Sequence, residues 1–160
     1  MYDLHCLKVQ LLFVGKTTES YLKEGIEIYL KRLTNYIPVT VTVVQPSSAK
    51  ELKKALDEEG KTLQSKLLPG DFIIVLDEKG VEIGSKKLSE SMMKWMVQGV
   101  GRVVFITGGA FGISAELKVK ASYILSFSKF TFTHQMVRLI LVEQIYRAMT
   151  ITRNESYHHD

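Results

Sequence analysis

The amino-acid sequence predicts an α/β protein whose mainly parallel sheet is covered by helices on both faces. Short apolar or β-branched runs at 7–14, 39–44, 72–76, 103–107 and 123–126 alternate with stretches of helical periodicity. Several of the runs are continuously apolar, as strands buried on both faces must be. The chain has 160 residues and 46% hydrophobic content, enough for one core and too little for two, so a single domain is expected over 1–160.

Each element has its own signals. The strand at 7–14 is closed by Gly15-Lys16, and Tyr21, Ile26, Tyr29, Leu30 and Leu33 then recur at helical spacing among charges. Pro46 stops the second strand, and Ser48 with Glu51 three residues on reads as a capping box opening a polar helix toward Leu68. Pro69-Gly70-Asp71 turns into the strand at 72–76, and 77–84 reads as a polar, glycine-marked connection. A helix at 85–98 places Leu88, Met92, Trp95 and Met96 on one face. A fourth strand at 103–107 leads into the loop Gly108-Gly109-Ala110-Phe111-Gly112, a short helix at 114–121 and a short strand at 123–126. The final helix, 135–150, carries Val137, Leu139, Ile140, Leu141, Val142, Ile145 and Met149 too widely around its axis for one stripe. That predicts burial on more than one face, against the core and against a second copy of the chain. A tail remains at 151–160.

Composition excludes several function classes. Cys6 is the only cysteine, so neither an intramolecular disulfide nor a Cys-x-x-Cys zinc or redox site is available. No run approaches the roughly 18 apolar residues of a membrane span, and residues 1–6 lack a signal peptide's pattern, so a soluble cytoplasmic protein is expected. The formal charge of +4 suits a polyanionic partner.

Ligands of open parallel sheets sit beyond the carboxyl ends of the strands, which points to the loops after Leu76, Thr107 and Ser126. Gly108, Gly109 and Gly112 permit close backbone approach to a nucleotide-like ligand, though their spacing matches neither a dinucleotide fingerprint nor a phosphate loop. In 125–135 hydroxyls and aromatics alternate, a composition that can stack on an adenine and read its edges; for any one of Phe127, Phe130 and Phe132 alone, core filling is the better reading, and His134 suits a helix cap. Glu143 and Arg147 form a favourable helix pair at four-residue spacing, and Tyr157-His158-His159-Asp160 has the composition of a frayed end.

Gly15-Lys16, Val75-Leu76-Asp77, Ile106-Thr107-Gly108-Gly109, the run 125–129, the run 131–138, the run 143–148 and Tyr157-His158 together resemble, in order and over nearly the whole chain, the RlmH family. These are the pseudouridine N3-methyltransferases of the large ribosomal subunit within the SPOUT superfamily. The resemblance implies a SPOUT-type α/β knot with a C-terminal trefoil, a homodimer, S-adenosylmethionine as methyl donor without a metal, and 23S rRNA within the ribosome as partner. It places cofactor contacts on Leu76, Gly108, Phe127, Ser128, Lys129, Phe130, Thr131 and Phe132, and catalysis on Arg147, Tyr157 and His158.

In that reading Arg147 stabilises charge developing on the base carbonyls, Tyr157 stacks on or orients the base, and His158 accepts or relays the N3 proton. The chain departs from the family pattern in residues 1–6, an N-terminal extension, in Thr133 where proline is frequent, and in His159 where arginine or lysine is expected. The alternatives are a SPOUT methyltransferase of a transfer-RNA ribose 2′-hydroxyl, or a ribosome-associated RNA-binding factor without activity.

Overall fold

A computed structural model describes residues 7–159; Cys6 with the rest of the 1–6 extension, and Asp160, lie outside the described residues. Strands β1 (Lys8–Val14), β2 (Val39–Val44), β3 (Phe72–Glu82), β4 (Arg102–Thr107) and β5 (Tyr123–Ser126) alternate with helices α1 (Ser20–Leu33), α2 (Leu52–Gln64), α3 (Ser85–Val97), α4 (Ala115–Lys120) and α5 (His134–Thr152). The strands form one sheet in the order β2-β1-β4-β3-β5, every pairing parallel.

Alternate side chains of the central strands feed two cores, which is why β1 and β4 are apolar throughout. Leu11, Phe13, Val103 and Phe105 point to the side covered by α1, α3 and α5, where they meet Met92, Leu141 and Ile145. Leu12, Val14, Val104 and Ile106 point to the side covered by α2 and α4, against Leu63 and Leu117.

Helix α5 explains its unusual apolar spread. Leu141, Val142, Ile145, Ala148 and Met149 are buried, while Val137, Leu139 and Ile140 are half-buried. Each fully buried Leu, Val or Ile contributes about 1.5–3 kcal/mol, so the helix is fixed chiefly by packing. It runs beside α1 in the same direction: near the start Gln135 Oε1 accepts from the Thr18 N–H at 2.8 Å, and near the end Arg153 Nη2 donates to the Asn35 carbonyl at 2.9 Å. The helices approach so closely that a Cβ on Gly25 would lie 2.9 Å from Leu139 Cδ1.

Three local expectations need correction. The Ser48–Glu51 capping box does not form: Glu51 is itself the extended residue before α2, without a side-chain cap. A tertiary contact wins, because the buried Glu59 carboxylate accepts from the Ser47 N–H at 2.9 Å and draws the entering chain back along the helix. The connection at 77–84 is largely strand. After Leu76 pairs with Leu125 the chain bulges out and returns at Val81, which meets Leu125 again. Gly80 permits the return, since a Cβ there would lie 2.7 Å from the Ile124 carbonyl oxygen. Finally, Thr133 rather than His134 caps α5, its hydroxyl accepting from the Met136 N–H at 3.1 Å.

Candidate active site

At the carboxyl ends of β4 and β5, beside the bulge in β3, lies a cavity of about 570 Å³. The loops after Thr107 and Ser126 contribute to it as expected for an open parallel sheet, and in place of a loop after Leu76 the bulge of β3 supplies Asp77, Glu78 and Lys79. Of the residues predicted to hold a cofactor, Leu76, Gly108, Phe127, Ser128, Phe130, Thr131 and Phe132 line the cavity. Lys129 is exposed and lies outside its lining.

The glycine loop is closed on itself. Gly112 has φ +86° and donates its N–H to the Gly109 carbonyl at 3.1 Å, and a Cβ on Gly108 would stand 2.3 Å from the Gly112 carbonyl oxygen. The need for glycine at 108 is therefore set by the loop's own backbone.

In the opposing loop the hydroxyls are largely spent on shape. Ser126 Oγ donates to the Ser128 carbonyl at 2.9 Å, Ser128 Oγ accepts from the Phe130 N–H at 3.0 Å, and Thr131 Oγ1 donates to Glu78 at 2.7 Å. Phe130 is 79% exposed, so it is no core residue, and Phe111 across the glycine loop is 61% exposed; Phe127 packs against the core. Two phenyl rings thus flank the cavity where a planar ligand can stack.

Three further lining residues, Thr107, Asp77 and His134, stand in the sequence motifs without a predicted role at the site. Thr107 is 2% exposed and its hydroxyl oxygen has no hydrogen-bond partner in the protein, an orphan polar atom at the cavity wall. Asp77 pairs with Lys118 at 2.6 Å on the rim. Burial opposes its charge, yet the bonds from Lys118 and from the Lys79 N–H hold its carboxyl below the usual range. His134 lines the cavity in a setting where burial, then the nearby Arg138 charge, favours the neutral imidazole.

Arg138 lies directly beneath, fully buried and without a carboxylate in salt-bridge reach among the described residues. Its donors hold the carbonyls of Val14 at 2.6 Å and Gly15 at 2.8 Å, and its guanidinium sits 4.8 Å over the Phe13 ring. Burial lowers its pKa to about 10, so it stays cationic at neutral pH.

The residues predicted to be catalytic gather elsewhere. Arg147 donates to Glu143 Oε1 from Nε at 3.0 Å and from Nη2 at 2.5 Å, and its Nη1 lies 3.3 Å from His158 Nδ1. Tyr157 donates to the same carboxylate oxygen at 3.1 Å, and its ring lies 4.7 Å from the Arg147 guanidinium carbon. Burial first, then Tyr29 and Glu143, pushes the Tyr157 phenol well above its ordinary range, so it remains protonated. The tail is held by a helix-ending turn: Asn154 adopts φ 56°, and the Glu155 N–H bonds back to the Thr150 carbonyl at 3.0 Å.

This cluster belongs to the far end of α5. His134 lines the cavity, and Arg147 follows 13 residues later on the same helix. At 1.5 Å per residue the two are roughly 20 Å apart. One chain thus brings together the loops predicted to hold the cofactor, and separately Arg147, Tyr157 and His158, without joining the two groups.

A parallel α/β sheet that gathers a glycine loop, aromatic walls and an orphan hydroxyl around one cavity places the chain in the class of open-sheet proteins with a strand-end pocket. A family model described as predicted SPOUT methyltransferase matches residues 7–158, and the chain belongs to the SPOUT methyltransferase family. It is 44% identical to ribosomal RNA large subunit methyltransferase H of Parabacteroides distasonis and 42% identical to the protein of that name from Natranaerobius thermophilus. Each alignment covers 96% of this chain and 100% of the relative. Among solved structures, a probable methyltransferase from Bordetella pertussis superposes with TM-score 0.55 at 9% identity, over 91% of this chain and 97% of that one. A probable methylase family protein from Haemophilus influenzae gives TM-score 0.52 at 13% identity, over 95% of this chain and 68% of that one. At these identities the structures speak for the fold.

Proposed function

We propose that the protein methylates N3 of a pseudouridine in the 23S rRNA of the large ribosomal subunit, with S-adenosylmethionine as donor, as a cytoplasmic homodimer acting on assembled ribosomes. The observation that carries the cofactor half is the cavity at the strand ends, with its exposed phenyl rings and the unpartnered Thr107 hydroxyl. An orphan buried hydroxyl costs stability unless a polar ligand satisfies it, which suits a nucleoside cofactor. The names of the relatives support the ribosomal substrate. The same reading includes the C-terminal trefoil knot.

When bound, the cofactor supplies an activated methyl group on a sulfonium, so the chain's tasks are alignment, charge stabilisation and proton removal. Leu76, Gly108 and 127–132, with Lys129 the least engaged, hold the donor. Arg147 keeps its charge, since the Glu143 hydrogen bond raises its pKa further. Its Nη1 is the donor best placed to turn to a base carbonyl as negative charge develops there. Beside Arg147, His158 accepts or relays the N3 proton. Tyr157, neutral and packed under the guanidinium, stacks on or orients the base.

The separation along α5 supports a reading in which the site is shared between two chains. A two-fold axis that sets the α5 helices antiparallel brings the tail of one protomer to the cavity of the other, and the half-buried Val137 and Ile140 supply apolar surface for the contact. The test is methyl transfer from labelled S-adenosylmethionine to intact ribosomes, free large subunits and naked 23S rRNA, followed by nucleoside mass spectrometry. Methylpseudouridine modified at N3, formed best on ribosomes, is the expected product. Ribose methylation, or no transfer to any of the three, would overturn the reading.

A further inference from the structure

The carboxyl-terminal ends of α1 and α5 carry a row of tyrosines that the chemistry above does not use. The Tyr146 ring centroid lies 5.7 Å from Tyr29 and 5.6 Å from Tyr36. An arginine closes the row on each side. The Arg32 guanidinium carbon stands 5.2 Å from the Tyr29 centroid and 5.6 Å from that of Tyr146, and the Arg153 carbon stands 4.3 Å over Tyr36.

Both arginines are exposed, and neither has an ion pair among the described residues. Arg153 spends one donor on the Asn35 carbonyl at 2.9 Å. The neighbouring acids are already engaged: Glu155 accepts from the Tyr36 hydroxyl, and Glu143 accepts from Arg147 and Tyr157. Ring faces restrain the two guanidinium groups without neutralising them, leaving several N–H donors toward solvent. The row is continuous with the proposed catalytic tail, because Tyr157 packs edge-on against Tyr146 at 4.8 Å.

We propose that Arg32 and Arg153 form a phosphate clamp, gripping the RNA sugar-phosphate backbone on either side of the nucleotide presented to Tyr157 and His158. The inference rests on the ribosomal RNA reading above. Guanidinium matches phosphate with paired donors, and an extended polyanion is the partner that two unpaired arginines at the ends of one aromatic row fit. The sites are for positioning: the clamp touches backbone, so its energy appears in RNA binding and its salt dependence.

The experiment compares wild type with Arg32→Gln, Arg153→Gln, the double variant and the double Arg→Lys variant, each checked for thermal melting and S-adenosylmethionine affinity. Readouts are kcat and KM on large subunits, and anisotropy binding of a 23S stem-loop fragment across a salt series. The double Gln variant is expected to raise KM at least fivefold with kcat within twofold. Its fragment-binding salt slope should fall by about one to two, near one for each phosphate no longer gripped. The Lys variant should keep the slope. If the double Gln variant does not fold, the single variants carry the test at about one unit of slope each.

Unchanged KM and slope would overturn the clamp, as would a fall in kcat alone. A higher KM on subunits with unchanged fragment binding would also overturn it, assigning the arginines to an acidic protein surface. Should wild type transfer no methyl group at all, the enzymatic reading fails, while the fragment-binding arm still decides the clamp.

Discussion

Gly108 shows how a single residue can matter for a reason different from the one its motif suggests. Its hydrogen faces the backbone of Gly112, so even a methyl group, 2.3 Å from that carbonyl oxygen, forces the loop open. Gly108→Ala is expected to lower S-adenosylmethionine affinity at least tenfold by calorimetry and to cost about 1–3 kcal/mol of stability. Unchanged affinity in the folded variant would place the pocket elsewhere. Asp71 is a residue of pure stability. It accepts from Arg102 Nε at 2.7 Å and Nη2 at 2.5 Å, with its side chain 3% exposed. Burial opposes its charge, but Arg102 and the Leu68 N–H hold its pKa below the ordinary 3.8. A depressed carboxylate stabilises the fold above its unfolded pKa and loses that contribution as pH falls through the folded value. Asp71→Asn should therefore cost about 2–3 kcal/mol at pH 7, with the gap to wild type closing below about pH 4 in denaturant titrations. A gap constant with pH would show that the pair's charge contributes nothing.

Among the elements, α5 decides most. Its packed middle fixes it in the core, its first turn borders the cavity and its last turns support the tail. Truncation after Asn154 removes the Glu155 bond to Thr150 and the Tyr157 and His158 contacts, but no buried apolar side chain. The cost should be about 1–2 kcal/mol, with cofactor affinity kept and single-turnover methyl transfer to ribosomes down at least a hundredfold. Near-normal transfer would exclude a catalytic tail. The same element illustrates what the sequence makes legible. Strands β1 and β4 are read easily because they are short continuous apolar runs, and helix α5 because its apolar stretch is too long for a strand. The outer half of β3 is not: its ladder is interrupted by a bulge stabilised by Asp77 accepting from the Lys79 N–H, and polar turn residues hide the strand. The Ser48–Glu51 motif misleads because Glu59, a turn and more into the helix, competes for the entering chain. Phe130 and Thr107 were opaque for a related reason, since an aromatic or hydroxyl residue does not announce whether it faces a core or a cavity.

For the whole molecule, the governing fact is that the strand-end cavity and the Arg147–Tyr157–His158 cluster, proposed to hold the cofactor and to carry catalysis, occupy opposite ends of α5. The motifs of the sequence mark both groups of residues but carry no information on their distance, which depends on the path of α5. On the proposed two-fold dimer, a chain carrying Gly108→Ala and a chain carrying Arg147→Gln are each inactive alone and complement one another when mixed. Hybrids contain one site with an intact cavity and an intact tail, so random reassortment should restore about a quarter of wild-type activity. No recovery in dimers verified as hybrid would mean that each chain closes its own site. The arrangement also separates folding from competence. A lone chain in this scheme is a finished cofactor carrier with no reaction to perform, and turnover per chain should decline once the protein is diluted below its dimer dissociation constant. A chain damaged at both ends would then silence whichever intact copy it met, so that in a mixed population the loss of activity would exceed the fraction of defective chains.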